Sequence, residues 1–472
     1  MLTWSEAYYA SEWLIRLVML FYVPNRRSPA AARTWLLLIF LLPWPGLIVY
    51  TAIGRIHFPK ERLALQARAQ KLIRAAREQM GVAPPWSEQP SSLVARTAAL
   101  VQRLGEFVPR GGNEIGLLWD YQATIDALIG DINNAKFHVH LLFYIFESDP
   151  VGRAVADALI AAARRGVKCR VLMDAVGSKG GLRHLAPRLR ESGVDVQAAL
   201  PVGLFRRNTA RIDLRNHRKI AVIDGRIGYT GSQNVVEPYF VRDCPNEELM
   251  ARVTGPVVVQ LQAVLLADYY FETGAVLDEA DLFPQVEPSG PSPAQVLPSG
   301  PGYGHENAQE LMVDLLHAAE RRIVITTPYF VPDEPFLQAM RTAVLRGVEV
   351  HLVLPERSNQ PFTRLAQQGY LEGLLDAGII IHLYQPHFLH AKHMSIDDDV
   401  ALVGSSNIDI RSFALNAEIS LLIYDPAVVA RLREVQERYF THGRVLTKEE
   451  WAKRPAIART IQNLARLADA LL

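Results

Sequence analysis

Cysteine is scarce: Cys169 and Cys244 are the two in 472 residues. A disulfide framework is thereby excluded, and a reducing compartment is the default. Neither sign of charge predominates, with 50 Lys and Arg against 49 Asp and Glu, so bulk attraction to nucleic acid is not the main business of the chain. Glycine and proline stay at ordinary levels, 30 and 29 residues, which removes collagen-like and low-complexity architectures. The length exceeds the roughly 250–300 residues at which one core stops growing, so two or more domains are expected.

Charge is also missing from one stretch in particular. Residues 35–54 read WLLLIFLLPWPGLIVYTAIG without a charged side chain, the length needed to cross a hydrocarbon core of about 30 Å. Pro43 and Pro45 are tolerated in such a span when neighbours satisfy the freed backbone. Ahead of it, Trp13 to Val23 is a shorter apolar stretch carrying Arg16, either a second span with a snorkelling arginine or an interfacial helix. A cleaved signal peptide is disfavoured by the early acidic residues. Arginines flank both ends of the second segment, so charge leaves orientation open. Residues 1–58 are therefore expected to be a membrane segment of one or two helices. Residues 59–92 follow as a basic helix, with Lys71, Arg74 and Arg77, and a Pro/Ser-rich linker.

The body contains an internal repeat. Ala135 to Asp174 runs apolar stretch, helix, apolar stretch, and Ala319 to Pro355 does the same. Strand, helix, strand at this spacing is a βαβ unit with a parallel sheet. Tyr144 corresponds to Tyr329 and Gly166 to Gly347, and PQVEPSGPSP at 284–293 separates the copies. The division is thus 93–283 for the first copy, 284–293 for the linker and 294–472 for the second with a C-terminal helix. The fold class is α/β, two similar sandwiches packed as an internal pseudo-dimer.

Each copy carries one motif without gaps: HRKIAVIDGRIGYTGSQN from His217 and HAKHMSIDDDVALVGSSN from His390. Both fit HxKx4Dx6GSxN. A chance match in one window is on the order of 1 in 10^8, and here it occurs twice at corresponding points. Strand alternation puts His and Lys, at i and i+2, on one face. An imidazole can serve as nucleophile or acid near neutral pH. Lysine, serine and asparagine supply cation and donors for phosphoryl oxygens. One copy is half a site; two copies give two histidines on opposite sides of one phosphorus, and a phosphohistidine divides one displacement into two. No metal or other cofactor is called for. His387, His390 and His393 are not read as a metal set, because the motif accounts for His390 and no cysteine is near. His138 and His140 read as core residues.

The motifs and the repeat resemble the phospholipase D superfamily, and within it the bacterial cardiolipin synthases. RNHRKI at Arg215, YTGSQN at Tyr229, TTPYFVP at Thr326 and EEWAKRP at Glu449 carry the resemblance beyond the motifs. It implies two phospholipase-D-like α/β/α domains behind an N-terminal transmembrane segment. His217 would be the nucleophile and His390 the general acid, with exchange of roles left open. Lys219 and Lys392 would hold the phosphate, with Ser232, Asn234, Ser405 and Asn407. Asp224 and Asp397 complete the motifs and would be structural. Glu248 and Glu418, each eight residues before a proline, would orient the histidines. The implied protein is an integral protein of the bacterial inner membrane with its catalytic domains on the cytoplasmic side. Phosphatidylglycerol and other phospholipids would be its partners, with no nucleic acid. It would transfer a phosphatidyl group between two phosphatidylglycerols. A hydrolytic phospholipase D uses the same residues, and the motifs alone do not separate the two. A nuclease and an inactive membrane scaffold are disfavoured by the membrane segment and by the two intact motifs. Arg206, Arg207, Arg211 and Arg215, ahead of His217, are either an anion-binding cluster or a solvated loop.

Overall fold

A computed structural model describes residues 3–27, 29–54, 64–65, 68, 90–202, 213–277, 279 and 281–466. Most of the basic segment Lys60–Met80, and Arg206, Arg207 and Arg211, lie outside the described residues.

Each copy builds its βαβ unit from the same local signals. In the first, Asp149 caps the helix Pro150–Arg164 by accepting from the Gly152 amide, and Pro150 opens it. In the second, Asp333 caps Glu334–Leu345 by accepting from Phe336. Both helices end where Gly166 (φ +90°) and Gly347 (φ +88°) turn left-handed, a conformation that costs other residues a Cβ clash. The strands on either side then pair in parallel: His138–Phe143 with Lys168–Asp174, and Arg322–Thr326 with Glu349–Pro355.

The two copies share one sheet of fifteen strands. From its outer edge inward, the first copy runs Asp195–Ala199, Lys168–Asp174, His138–Phe143, Lys219–Ile223, Ile227–Gly231, Met250–Thr254 and Arg110–Leu118. The second repeats that order with Ile380–Tyr384, Glu349–Pro355, Arg322–Thr326, His393–Ile396, Val400–Gly404, Glu418–Ile423 and Ser292–Ser299, and adds Gly443–Leu446 outside its edge. The halves meet where Arg110–Leu118 pairs antiparallel with Ser292–Ser299. Ser292, the ninth residue of the expected linker, therefore already belongs to the joining strand.

Helices cover both faces, as two-sided apolar strands require. Val258–Thr273 and Pro426–His442 pack on the same face. One buried cluster there takes residues from both copies, among them Ile220, Leu261, Val324, Val403 and Leu432. Separate clusters fill the other face of each copy. A continuous apolar interior across the pseudo-twofold holds the copies in fixed relation, which a site shared between them needs.

The N-terminus departs from the expected single span. Residues 35–54 are divided between the helices Pro29–Leu41 and Pro43–Ile53, broken at Leu42 (φ −134°, ψ 79°). Pro43 has no amide hydrogen to continue the ladder and disfavours helical geometry in the residue before it. No helix among the described residues is long and apolar enough to cross a membrane. The Arg16 guanidinium donates to the Phe40 carbonyl beside the break at 3.2 Å and pairs with Glu12 at 3.6 Å. It thus serves a backbone group at the helix break. The two helices and Trp4–Tyr22 enclose Ile15, Met19, Trp35, Ile39 and Tyr50, yet leave Trp4, Trp13, Leu14, Phe21, Leu41 and Ile48 exposed.

Candidate active site

Lys219 opens the strand after His217, Lys392 stands just before the strand His393–Ile396, and backbone bridges between copies fix the histidines themselves. The His217 amide donates to the Ala417 carbonyl at 2.9 Å, and the His390 amide donates to the Glu247 carbonyl at 2.8 Å. Each catalytic segment is thus pinned by the opposite copy. The side chains follow the same exchange. His217 Nδ1 lies 2.9 and 3.0 Å from the two carboxylate oxygens of Glu418, and His390 Nδ1 lies 2.7 Å from Glu248 Oε1. Neither histidine is oriented by the glutamate of its own copy, a crossing that linear spacing does not reveal.

A proton on Nδ1, donated to the glutamate, leaves Nε2 of each ring for chemistry. Both rings and both glutamates are buried or nearly so. Burial lowers the basicity of His217 despite Glu418, and drives His390 down to about 4 against the pull of Glu248. For the glutamates, burial alone would raise the pKa. For Glu248 the attraction of His390 and Lys392 outweighs it, and for Glu418 that of His217 and Lys219, so both fall below the usual carboxylate range. Lys219 and Lys392 donate to the carbonyls of His217 and His390, and burial brings them to about 7 and about 8.

The serines are placed differently from the expectation. Ser405 Oγ donates to Glu418 and accepts from the Ile419 amide at 3.0 Å. Ser232 Oγ bonds the Leu249 amide and carbonyl at 3.0 and 3.2 Å, beside Glu248. They brace the segments that carry the glutamates and, like Lys219 and Lys392, are not among the residues lining the cavity between the histidines. The preceding glycines have the same cause. A Cβ at Gly231 would meet the Leu249 carbonyl at 2.3 Å, and one at Gly404 would meet the Ile419 carbonyl at 2.5 Å. The Gly-Ser of each motif is therefore a close splice onto the segment carrying the orienting glutamate. Asn234 and Asn407 do line the site, Asn234 while accepting from the Ile145 amide at 3.1 Å.

Asp224 and Asp397 stand apart from the chemistry. Asp224 (φ +52°) accepts from the amides of Lys136, Phe137 and His138 at 2.7–2.9 Å. Asp397 (φ +49°) accepts from those of Glu320, Arg321 and Arg322 at 2.8–2.9 Å. Each gathers the donors at the entrance of its copy's first βαβ strand.

Between the histidines lies a cavity of about 500 Å³. Its wall includes residues that motif reading did not single out. Tyr144 stands edge-on to His217 with ring centroids 4.8 Å apart, and Phe240 stands so to His390 at 5.0 Å. Tyr329 donates to Asn359 at 2.7 Å. The correspondence of Tyr144 with Tyr329 in the repeat was the one available signal; Phe240 had none. Arg215 also lines the cavity, buried and paired with Asp174 at 3.2 Å, and Arg411 joins it from the opposite copy.

The remaining histidines have other partners. His138 and His140 stack in the interior, His140 against Gln262 at 3.1 Å. His387 pairs with Glu247 at 2.8 Å, whereas His393 meets Gln436 at 3.2 Å. The three histidines of the second motif region thus address three different groups.

Two motif histidines and two motif asparagines line one cavity across a pseudo-twofold, on a doubled α/β sandwich, with Lys219 and Lys392 buried behind the histidines. This is the arrangement of a phospholipase-D-type site. Residues 128–269 and 312–440 match the family described as cardiolipin synthase, PLD-like domain, and the chain belongs to that family. Cardiolipin synthase A of Pectobacterium carotovorum is 35% identical over 472 residues, covering 97% of this chain and 96% of the relative. That of Yersinia pseudotuberculosis is 36% identical over 470 residues with the same coverage. Among solved structures, phosphatidylserine synthase of Haemophilus influenzae superposes with a TM-score of 0.60 at 15% identity, covering 80% of this chain and all of that one. That likeness shows the shared fold.

Proposed function

We propose that this protein is a phosphatidyltransferase that converts two phosphatidylglycerols into cardiolipin and glycerol. The observation that carries the reading is the crossed pair His217–Glu418 and His390–Glu248 on either side of one cavity. In this reading the phosphodiester anion favours the charged imidazole, so that His390 takes up a second proton at Nε2 as the substrate binds. His217 Nε2 attacks phosphorus and His390 gives that proton to the departing glycerol oxygen. A phosphatidyl-histidine and free glycerol result. The second phosphatidylglycerol then loses its hydroxyl proton to His390 and attacks phosphorus from the face that glycerol left, releasing His217. One phosphodiester replaces another, so no nucleotide is consumed. Lys219 and Lys392 offset the phosphoryl charge in a site with little water, where such charges act strongly. Water at the second step would give phosphatidic acid, so its exclusion while the second lipid fills the cavity matters to the outcome.

Membrane attachment through the N-terminal helices belongs to the same reading. Their exposed tryptophans and leucines are an unusually large apolar surface, of the kind that marks a membrane contact. Detergent-purified protein incubated with phosphatidylglycerol tests the whole reading by product analysis. Cardiolipin with equimolar glycerol is expected. Phosphatidic acid alone would make the enzyme a hydrolase, and no turnover would remove the assignment.

A further inference from the structure

The helix Ala456–Arg466 is amphipathic the wrong way round for a helix at rest on a protein. Its buried positions include Gln462 and Ala465, while Ile457, Ile461 and Leu464 stand 72%, 46% and 59% exposed. These three occur at i, i+4 and i+7 and so form one stripe. The polar side is the one fitted to the body. Arg466 donates to the Gly369 carbonyl at 3.2 Å and lies over the Tyr370 ring at 4.4 Å. Gln462 donates to Gln368 at 3.1 Å, and Arg454, just before the helix, donates to Glu372 at 2.9 Å. A Cβ at Gly369 would meet the Arg466 side chain at 2.5 Å, so glycine lets the helix seat closely. The orientation that exposes the stripe is held by specific contacts.

We infer that this helix is a lipid-facing contact that sets the mouth of the catalytic cavity against an anionic bilayer. Charge favours that occupant: no acidic residue lies in the segment Trp451–Arg466. Of its cations Lys453 and Arg459 stand exposed, Arg459 within 3.8 Å of Glu372, while Arg454 and Arg466 face the body. Basic side chains around an apolar stripe are the composition of interfacial helices on anionic lipid. Position favours it too. The helix packs against Pro361–Asp376, with Gln462 on Gln368 and Arg466 on Gly369, and Gly369 is about 9 Å along that helix from Thr363. Thr363 and Gln360 line the cavity. Between them in the chain Phe362 is exposed, as is Tyr239 beside the cavity residue Phe240, so apolar side chains stand next to cavity-lining positions of both copies. A lipid whose headgroup must enter the cavity while its chains stay in the bilayer needs such an apolar border.

The inference rests on the substrate being a bilayer lipid, and the experiment separates the two. In the full-length protein, Ile461→Cys and, as a control, the exposed Asn463→Cys are labelled with an environment-sensitive fluorophore; both native cysteines are buried. The protein is reconstituted in vesicles with and without phosphatidylglycerol. At 461 a blue shift and quenching by a lipid-borne quencher are expected in phosphatidylglycerol vesicles, while 463 stays open to aqueous iodide. Iodide quenching at 461 equal to that at 463 overturns the inference. So does shielding at 461 that no bilayer quencher reaches, which would put the chain's last residues or a second copy on the stripe. In parallel, Ile457→Ala, Ile461→Ala and Leu464→Ala together should lower turnover of vesicular phosphatidylglycerol about tenfold and leave that of a water-soluble short-chain analogue unchanged. Equal losses on both overturn it. If the unaltered protein turns over neither lipid, the proposed function fails instead.

Discussion

The two halves of the site are the same in plan and different in surroundings. His217 is held by both oxygens of Glu418, which Ser405 holds in turn. His390 touches one oxygen of Glu248, and Ser232, which bonds the Leu249 backbone as Ser405 bonds that of Ile419, also helps to lower the pKa of Glu248. Tyr144 stands against His217, whereas Phe240, Phe388 and Tyr329 crowd His390. His390 is also the more buried ring, 5% against 11% exposed. A duplicated motif has thus come to rest in two environments. The more accessible and more firmly oriented imidazole suits attack. The enclosed one suits a proton carrier shielded from bulk water, which is how we assign the roles.

Removing the imidazoles tests that assignment with the largest effects. His217→Ala and His390→Ala should each reduce turnover by about 10^4-fold, near the upper range for general acid–base and nucleophilic groups. The comparison lies in what survives. With a substrate whose leaving group needs no proton, His390→Ala should still form the covalent phosphohistidine in rapid-quench labelling, and His217→Ala should not. An adduct on His390 in the latter variant would reverse the assignment.

The crossing of partners gives the next effect. Glu418→Gln should behave as a His217 defect and Glu248→Gln as a His390 defect, each by on the order of 10^2- to 10^4-fold in kcat, because an amide no longer fixes the tautomer. Covalent labelling with the activated substrate again tells them apart: it should collapse in Glu418→Gln and persist in Glu248→Gln. The opposite pattern would mean that each glutamate serves the histidine of its own copy.

Smaller changes should separate the fold from the chemistry. Asp224→Ala leaves three amides at the start of His138–Phe143 without their acceptor, and Asp397→Ala does the same at Arg322–Thr326. Each should destabilise by about 1–3 kcal/mol, from the loss of three charge-assisted hydrogen bonds, the less at Asp224, whose Lys136 and Phe137 partners are exposed, read in urea unfolding. The folded fraction should keep the pH profile of the unaltered enzyme. A changed profile would return these aspartates to the catalytic set.

What the sequence made legible follows from what is local. The βαβ copies announce themselves through periodicity, capping aspartates and the glycines at 166 and 347, and the His-Lys motifs through spacing. The serines were misplaced because a hydroxyl suits a phosphate as well as a carboxylate, and only the splice at Gly231 and Gly404 decides between them. The crossed glutamates and Phe240 depend on how two copies pack, which no window of sequence contains. In the N-terminal segment, composition outweighed the backbone: twenty uncharged residues promised a continuous span, but Pro43 divides them.

The last contrast concerns charge in the two lysines. Burial behind the histidines holds Lys219 near 7 and Lys392 near 8, so near pH 8 both are partly neutral, Lys219 the more so. A phosphodiester anion favours their charged form and raises both values. Binding should therefore take up protons: fewer at pH 6, where both lysines are already charged, and up to about one or two at pH 8 to 9. Titration calorimetry of the His217→Ala variant with a phosphodiester analogue, in buffers of different ionisation enthalpy, measures that number directly. Affinity should weaken as pH rises through 7 to 9. Lys219→Met should remove the lower-pH part of the uptake, and Lys392→Met the higher-pH part. An uptake that is zero across this range would mean that the lysines stay charged in the empty site. The histidines would then be the groups that gain the proton, and the pH dependence would move to the acid side of neutrality.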